Sequence, residues 1–442
     1  MRLLCASDLH LGRQPAGLPD HLGLDPARTA TSTVWDNLVE LALNEHVDAV
    51  LLAGNMIDRE NRFFEPLGPL ERGLTTFGRH DIPVYAIAGD HDFDALRRIA
   101  DTEPTGAFHV IGRDGRWEQV TIEAGDGSAV TVLGWSAPGP THPGSPFAGF
   151  TPPQHPEGPV IALLHASIAE ERPVPGDYAP ITRHDLGGWP VDLWIAGHGH
   201  TPHFDTDDVV PLLEPGSGSP LDPGERGPRG AWIVDIAETE SARTVNARLV
   251  PLSPVRFTAI DLDLTGVTDL GDVETRLVGA VHDALRKETN DDPGGHLICV
   301  GCQLGIHGQT PLHAQIPELV HDLARTIDVQ EGTVIAAIGS VAIDTRPPID
   351  LEPLVRRPDP VGELARLLTE LEASHESGFD RLSAAHLGLL QRTTTRLQAA
   401  HRSRVFASVA GDPEPDAAMA RTHLRREGWS LLDALIQQRG ME

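Results

Sequence analysis

The chain has 442 residues, with 64 Asp and Glu against 35 Lys and Arg, and a formal net charge of −29. That balance excludes a polybasic membrane binder and any protein that concentrates nucleic acid through a global positive field. With 40% hydrophobic residues the composition is that of a folded protein, long enough for two or three domains.

The chain opens MRLLCASDLHLG, a brief strand over residues 3–6 that ends in Ser7, Asp8, Leu9 and His10. Asp8 and His10 stand where a leader would be cleaved, and no run approaches the ~20 apolar residues of a membrane span, so a cytoplasmic location is expected. A helix with Val34, Leu38 and Leu41 on one stripe follows. Next come a buried strand, Ala49–Ala53, and a helix striped by Phe63, Leu67, Leu70, Leu74 and Phe77. A third strand over 82–88 completes a β-α-β-α-β pattern, the grammar of a layered sheet. From about residue 108 the rhythm is strands without long helices: 107–111, 117–123, 129–135, Val160–His165, Leu193–Gly197, 231–236 and 244–249. The Pro/Gly-rich stretch 137–159 reads as a long surface loop. A sheet-on-sheet core with helices on both outer faces, a four-layer α-β-β-α sandwich, would hold these elements.

A second region offers a strand (258–264), a helix (268–287), a strand (296–306), a helix (314–326) and a strand (333–343), enough for a small α+β domain. Cys299 and Cys302 in it are spaced as a CxxC pair, but residues three apart on a strand point to opposite faces and cannot share a tetrahedral ion. They read as buried small hydrophobes, and three cysteines in all give no disulfide framework. Beyond Pro360 the pattern is helical. Val361, Leu364, Leu367, Leu368 and Leu371 form one stripe, and Phe379, Leu382, Leu389, Thr393 and Leu397 a second. Trp429, Leu432, Leu435 and Ile436 line a last short helix. The expected domains are therefore 1–255, 256–350 and 351–442.

The 22 histidines are a stronger lead than the acidity. Five motifs each follow an apolar run and end in cation-binding side chains. They are Asp8-x-His10; Gly54, Asn55 and Asp58; Gly89 to Asp92; His165; and His198 with His200. One such motif is a weak signal, since a loop histidine usually meets a backbone carbonyl. Five in succession suit two adjacent divalent ions, whose ligands must converge from distant segments at the ends of neighbouring strands. Carboxylate, amide and imidazole without thiolate favour Mn²⁺, Fe²⁺ or Zn²⁺ over Ca²⁺.

In order and spacing these motifs resemble the calcineurin-like metallophosphoesterases. Further features resemble the SbcD-type DNA exonuclease subunits, in their YhaO-like branch. These are SDLHLG at 7–12, Leu163 and Leu164 before His165, Asp177-Tyr178-Ala179-Pro180, LWIAGHGHTPH at 193–203 and EPGSGSPLDPGERGPRGAWIVDI at 214–236. The resemblance covers about 250 residues. Beyond it, the α+β region and helical tail match the family's capping domain and ATPase-binding tail only in layout. It implies Asp8, His10 and His200 on one ion, Asp90, His165 and His198 on the other, and position 55 between them. His91 would be the proton donor to the leaving oxygen, with Asp58 and Asp92 orienting loops and histidines. It further implies two Mn²⁺ ions, DNA as substrate, a homodimer, and an SMC-type ATPase partner of the SbcC kind bound by the C-terminal helices.

The sequence departs from that pattern by exchanging two residues. The family has aspartate at position 55 and asparagine at position 90; this chain has Asn55 and Asp90. Either Asp90 takes over the bridging role, or the site is weakened and the chain is a pseudo-nuclease scaffold. A small-molecule phosphodiesterase is a third reading, against which the ~190 residues beyond the first domain stand. Residues 381–410 carry Arg381, Arg392, Arg396, Arg402 and Arg404 and no acid. They and Trp429 are candidate contacts for DNA or an acidic partner. His155, His184 and His203 are expected to be solvated in Pro-rich loops.

Overall fold

A computed structural model describes the chain except residues 61–65, 152–155, 157, 173–175, 207–209, 239–242, 328, 378–381, 402–414 and 441–442. It divides into two compact units. The first comprises Met1–Ala259, Val281–Gln303 and Asp328–Ser340; the second comprises Ile260–Ala280, Leu304–Ile327 and Val341–Glu442. Residues 256–350 thus fall partly in one unit and partly in the other.

The first unit is built on two six-stranded sheets. In one, the strands run in the order Arg243–Pro251, Gly230–Glu238, Arg2–Ala6, Ala49–Ala53, Val84–Ile87, Phe108–Val110, the last four parallel. In the other the order is His203–Asp205, Leu212–Glu214, Leu193–Gly197, Val160–His165, Ala129–Gly134, Glu118–Glu123, with the middle four parallel. The central strands Ala49–Ala53 and Leu193–Gly197 are apolar throughout because both faces are covered, and alternation along the strands assigns each residue to a layer. Leu3, Cys5, Ala49, Leu51 and Ala53 point between the sheets, against Ile161, Leu163, Leu193 and Ile195. Leu4, Ala6, Val50 and Leu52 point outward. They meet Val34, Trp35, Leu38 and Ala42 of the helix Thr31–Asn44 and Leu70, Leu74 and Phe77 of the helix Leu67–Arg79.

The outer face of the second sheet is covered differently. Among the described residues its only helix there is the one-turn Arg183–Leu186, started by a Thr182–Asp185 capping box. The rest is loop, and the 137–159 stretch is not merely surface. Phe147 and Phe150 pack with Trp117, Trp189 and Trp194, which supplies an apolar layer where a helix is absent. His184 and His203 are exposed, on that helix and on the His203–Asp205 strand rather than in loops; His155 lies outside the described residues.

A third sheet has the order Val255–Asp263, Cys299–Gln309, Val334–Arg346, Val329–Glu331. Cys299 and Cys302 are buried free thiols, and burial pushes both up to about 12. In the second unit, the helices Pro360–Ser377, Ala384–His401 and Ala417–Gly440 follow one another. The last is 24 residues long, not short. Val361, Leu368, Trp429 and Leu432 form its core, with Ile349, Leu354, Leu364 and Ile436 against them. Leu390, one residue from the expected Leu389, is the buried leucine of the Ala384–His401 helix, while Leu382 precedes it and Phe379 lies outside the described residues. No helix among the described residues is long and apolar enough to cross a membrane.

Candidate metal centre

Each motif begins where a strand stops, and the register brings the stops level. Ala6 pairs with Leu52, Ala53 with Ile87, and Gly197 with His165. The His165 imidazole is fully buried, and its Nδ1–H donates to the Ala53 carbonyl of the opposite sheet at 2.9 Å. A Cβ at Gly54 or Gly197 would lie 2.5 or 2.6 Å from that nitrogen, so neither position has room for a side chain. Asp8, His10, Asn55 and His198 take φ values of 48°, 43°, 53° and 89°, a left-handed backbone that non-glycine residues rarely hold.

These turns assemble three donor groups, each with its ligand atoms within 4.8 Å of one another: Asp8, His10 and His200; Asp90, His165 and His198; and His10, Asp58 and His91. In the first group, His10 Nδ1 meets Asp58 Oδ2 at 3.1 Å, while its Nε2 is buried, 3.8 Å from Asp8 Oδ1, and has no hydrogen-bond partner among the described residues. His200 Nε2 lies 4.0 Å from the same Asp8 oxygen. In the second group, Asp90 Oδ1 is 3.2 Å from His165 Nε2 and 3.8 Å from His198 Nδ1. The backbone N–H of His198 donates to Asp8 Oδ2 at 2.9 Å, linking the groups.

Burial opposes the charge on Asp8, Asp58 and Asp90, yet all three are held well below the usual carboxylate range. His10, His165 and His200 outweigh burial at Asp8, His10 and His91 at Asp58, and His165, His198 and Asn55 at Asp90. His10 is correspondingly pushed up to about 9, where Asp58 and Asp8 overcome its desolvation. A buried, unpartnered imidazole nitrogen among anionic carboxylates fits a divalent cation, and the donor types fit Mn²⁺, Fe²⁺ or Zn²⁺.

Asn55 lies between the two groups. Its Nδ2 donates to Asp8 Oδ1 and to Asp90 Oδ1, each at 3.1 Å, and its Oδ1 accepts from the His91 backbone N–H at 3.0 Å. The partners fix the amide's orientation, because carboxylates require donors and a backbone N–H requires an acceptor. Position 55 therefore presents N–H groups, not oxygen, to both carboxylates.

Asp58 and Asp92 do different work. Asp58 Oδ2 meets His10 Nδ1 at 3.1 Å, which orients that imidazole, and lies 3.5 Å from His91 Nδ1, which also accepts from the Arg59 backbone N–H at 3.3 Å. Asp92 is fully buried and accepts from Met56 N at 2.6 Å, Gly89 N at 2.8 Å and Ile57 N at 3.4 Å. It ties the 54–58 turn to the 89–92 turn through backbone. Asp92→Ala should cost about 3 kcal/mol by stranding those buried N–H groups. Chemical denaturation with and without Mn²⁺ checks this, and an unchanged midpoint would remove Asp92 from the centre's support.

Residues 1–202 match the family model described as calcineurin-like phosphoesterase. The metallophosphoesterase YhaO of Bacillus subtilis strain 168, itself described as uncharacterized, is 27% identical over 240 residues, 52% of this chain and 56% of that protein. The DNA double-strand break repair protein Mre11 of Sulfolobus acidocaldarius is 33% identical over 92 residues, 21% of this chain and 22% of that one. Mre11 of Aeropyrum pernix is 34% identical over 99 residues, 22% of each chain. The chain thus spans about half, or less, of the length of the curated relatives it matches.

The candidate centre also contains residues for which the sequence suggested no role. Glu225 Oε1 meets His200 Nδ1 at 2.7 Å. Ser217 and the buried Arg229 stand behind it, Ser217 Oγ donating to Glu225 Oε2 at 2.7 Å. The one available signal was their position in the glycine- and proline-rich 214–236 segment. Tyr178 lies with its ring 6.1 Å from that of His165 and 5.7 Å from that of His198. The candidate contact arginines belong to the second unit. Arg392 and Arg396 are exposed on the Ala384–His401 helix, and Arg381, Arg402 and Arg404 lie outside the described residues. Trp429 is not a surface contact. It is 5% exposed, its Nε1 donates to Glu372 Oε1 at 3.1 Å, and Arg346 stacks on its ring. Its stripe is consumed by packing against the helix Pro360–Ser377.

Proposed function

We propose that this chain is a metal-dependent DNA phosphodiesterase, the nuclease subunit of an SbcCD-like complex with an SMC-type ATPase, acting in DNA end processing, repair or defence. The observation that carries the phosphodiesterase reading is the pair of donor groups, Asp8–His10–His200 and Asp90–His165–His198, with His91 beside both and ligand to neither. Two divalent ions, which we take to be Mn²⁺, would be held by those groups and would supply an activated water and charge neutralisation at the phosphorus. The chain's own residues do the rest. Asp58 turns the His10 ring, and His91, with Nε2 3.9 Å from Asp90 Oδ2 and a side chain 30% exposed, faces outward to protonate the departing oxygen as the P–O bond breaks.

The likeness to Mre11 supports DNA as the substrate, and the exposed Arg392 and Arg396 would meet phosphate or the partner ATPase. A homodimer and a cytoplasmic location belong to the same reading. With so acidic a chain, DNA binding by the isolated protein should be weak and salt-sensitive without metal. The test is a nuclease assay on single- and double-stranded DNA beside a small aryl phosphodiester. Cleavage of DNA with Mn²⁺ and none in EDTA is expected. Rapid hydrolysis of the small ester with intact DNA would replace the nuclease by a small-molecule phosphodiesterase. The second reading, a non-cutting scaffold, is favoured by Asn55, whose N–H groups occupy the place where the family puts a carboxylate. Inertness of the Mn²⁺-loaded protein toward both substrates would establish it.

A further inference from the structure

His200 and His198 belong to different donor groups and are supported differently. The His200 ring is held by Glu225, and the rest of the Glu225 carboxylate is already committed. Its Oε2 accepts from Ser217 Oγ at 2.7 Å and from the Leu221 N–H at 3.1 Å, which leaves Oε1 for His200 Nδ1 at 2.7 Å. A turn later, Arg229, its side chain 1% exposed, reaches back over the same cluster. Its Nε donates to the Glu225 carbonyl at 3.1 Å, and its Nη1 donates to Ser217 Oγ at 2.6 Å and to the His200 carbonyl. His200 is thereby gripped at its ring and at its backbone by two side chains four residues apart. The Ser217 N–H also donates to the His200 carbonyl, at 3.1 Å. A carboxylate can only accept, so Nδ1 carries a proton toward Glu225, and Nε2 is left facing Asp8. Among the described residues, the His198 ring has Asp90 at 3.8 Å and the rings of His165 and Tyr178 at 5.3 and 5.7 Å, and no second carboxylate.

We propose that Glu225, clamped by Ser217 and Arg229, is the positioning residue of His200, and that it sets the cation affinity of the Asp8–His10–His200 group separately from the Asp90–His165–His198 group. The proposal rests on the metal-binding reading above and gives the centre two unequal sites, filled in order. A ligand imidazole whose second nitrogen is anchored binds a cation more tightly, and loss of such an anchor weakens binding by about 10–100-fold.

The experiment is Mn²⁺ titration of the full chain by calorimetry, with melting in EDTA as the measure of folding. The native chain should bind two equivalents with distinct affinities. Glu225→Gln should weaken the tighter equivalent about 10–100-fold and leave the other unchanged, and Glu225→Asp should recover part of the loss. If Glu225→Gln does not fold, Ser217→Ala is titrated instead, with the same direction and a smaller change. Unchanged affinities, or equal weakening of both equivalents, would overturn the positioning role. A native chain that binds no Mn²⁺ would overturn the metal-binding reading beneath it, and so separates the two failures.

Discussion

Asn55→Asp should destabilise the metal-free protein by roughly 3 kcal/mol and make its stability strongly dependent on Mn²⁺. In the native chain the Asn55 amide joins Asp8 and Asp90, donating to one oxygen of each at 3.1 Å. Hydrogen bonds to charged acceptors contribute about 1.5–3 kcal/mol each, and the aspartate would replace both with a third carboxylate at contact distance. Bound cations reverse the sign of that crowding, because an anion between two cations relieves their repulsion. Melting in EDTA and in Mn²⁺ measures both halves. An Asn55→Asp protein as stable as the native chain in EDTA would mean that the amide is not what holds the carboxylates together. Adding Asp90→Asn restores the arrangement usual in the family. If that double variant cuts DNA far faster than the native chain, Asp90 does not compensate for the missing carboxylate at position 55.

The second large effect is expected at His91. His91→Ala should lower kcat on DNA by about 10²–10⁴-fold, the usual contribution of a positioned proton donor, with Mn²⁺ content unchanged. The side chain is a member of neither proposed ligand set, although it lies beside His10 and Asp90, and the backbone N–H that holds the Asn55 oxygen survives the substitution. Single-turnover cleavage together with metal analysis separates the possibilities. Full activity would end the proposed role, and a loss of metal would make His91 a ligand.

How far the sequence disclosed this site depends on the kind of contact involved. Asp8, His10, Asn55, Asp90, His165, His198 and His200 were legible because each follows a strand buried on both faces, which reads as an apolar run with an abrupt polar stop. The sheet-on-sheet core was legible for the same reason. Glu225 was not, since its meeting with His200 joins two turns 25 residues apart with no periodic pattern between them. Asp92 was recognised as a supporting carboxylate, but its partners are backbone N–H groups, which leave no trace in a side-chain pattern. Trp429 shows the converse limit. Its apolar stripe was plain, but a stripe does not say whether its cover comes from the same chain, and here it does. The one-turn helix at Arg183 is too short for periodicity to register, although Thr182 and Asp185 form a capping box in plain sight.

The left-handed backbone at Asp8, His10, Asn55 and His198 has an evolutionary consequence. Such conformations cost about 1–3 kcal/mol apiece for residues other than glycine. At Asn55 the hydrogen bonds to Asp8 and Asp90 offset that cost, whereas glycine at any of the other three would relax its turn. A laboratory selection of this chain for heat tolerance alone would therefore drift toward glycine in the strand-end turns, and its winners would be sturdy proteins with their chemistry erased. Selection that demands turnover as well should leave these positions untouched and seek its gains elsewhere.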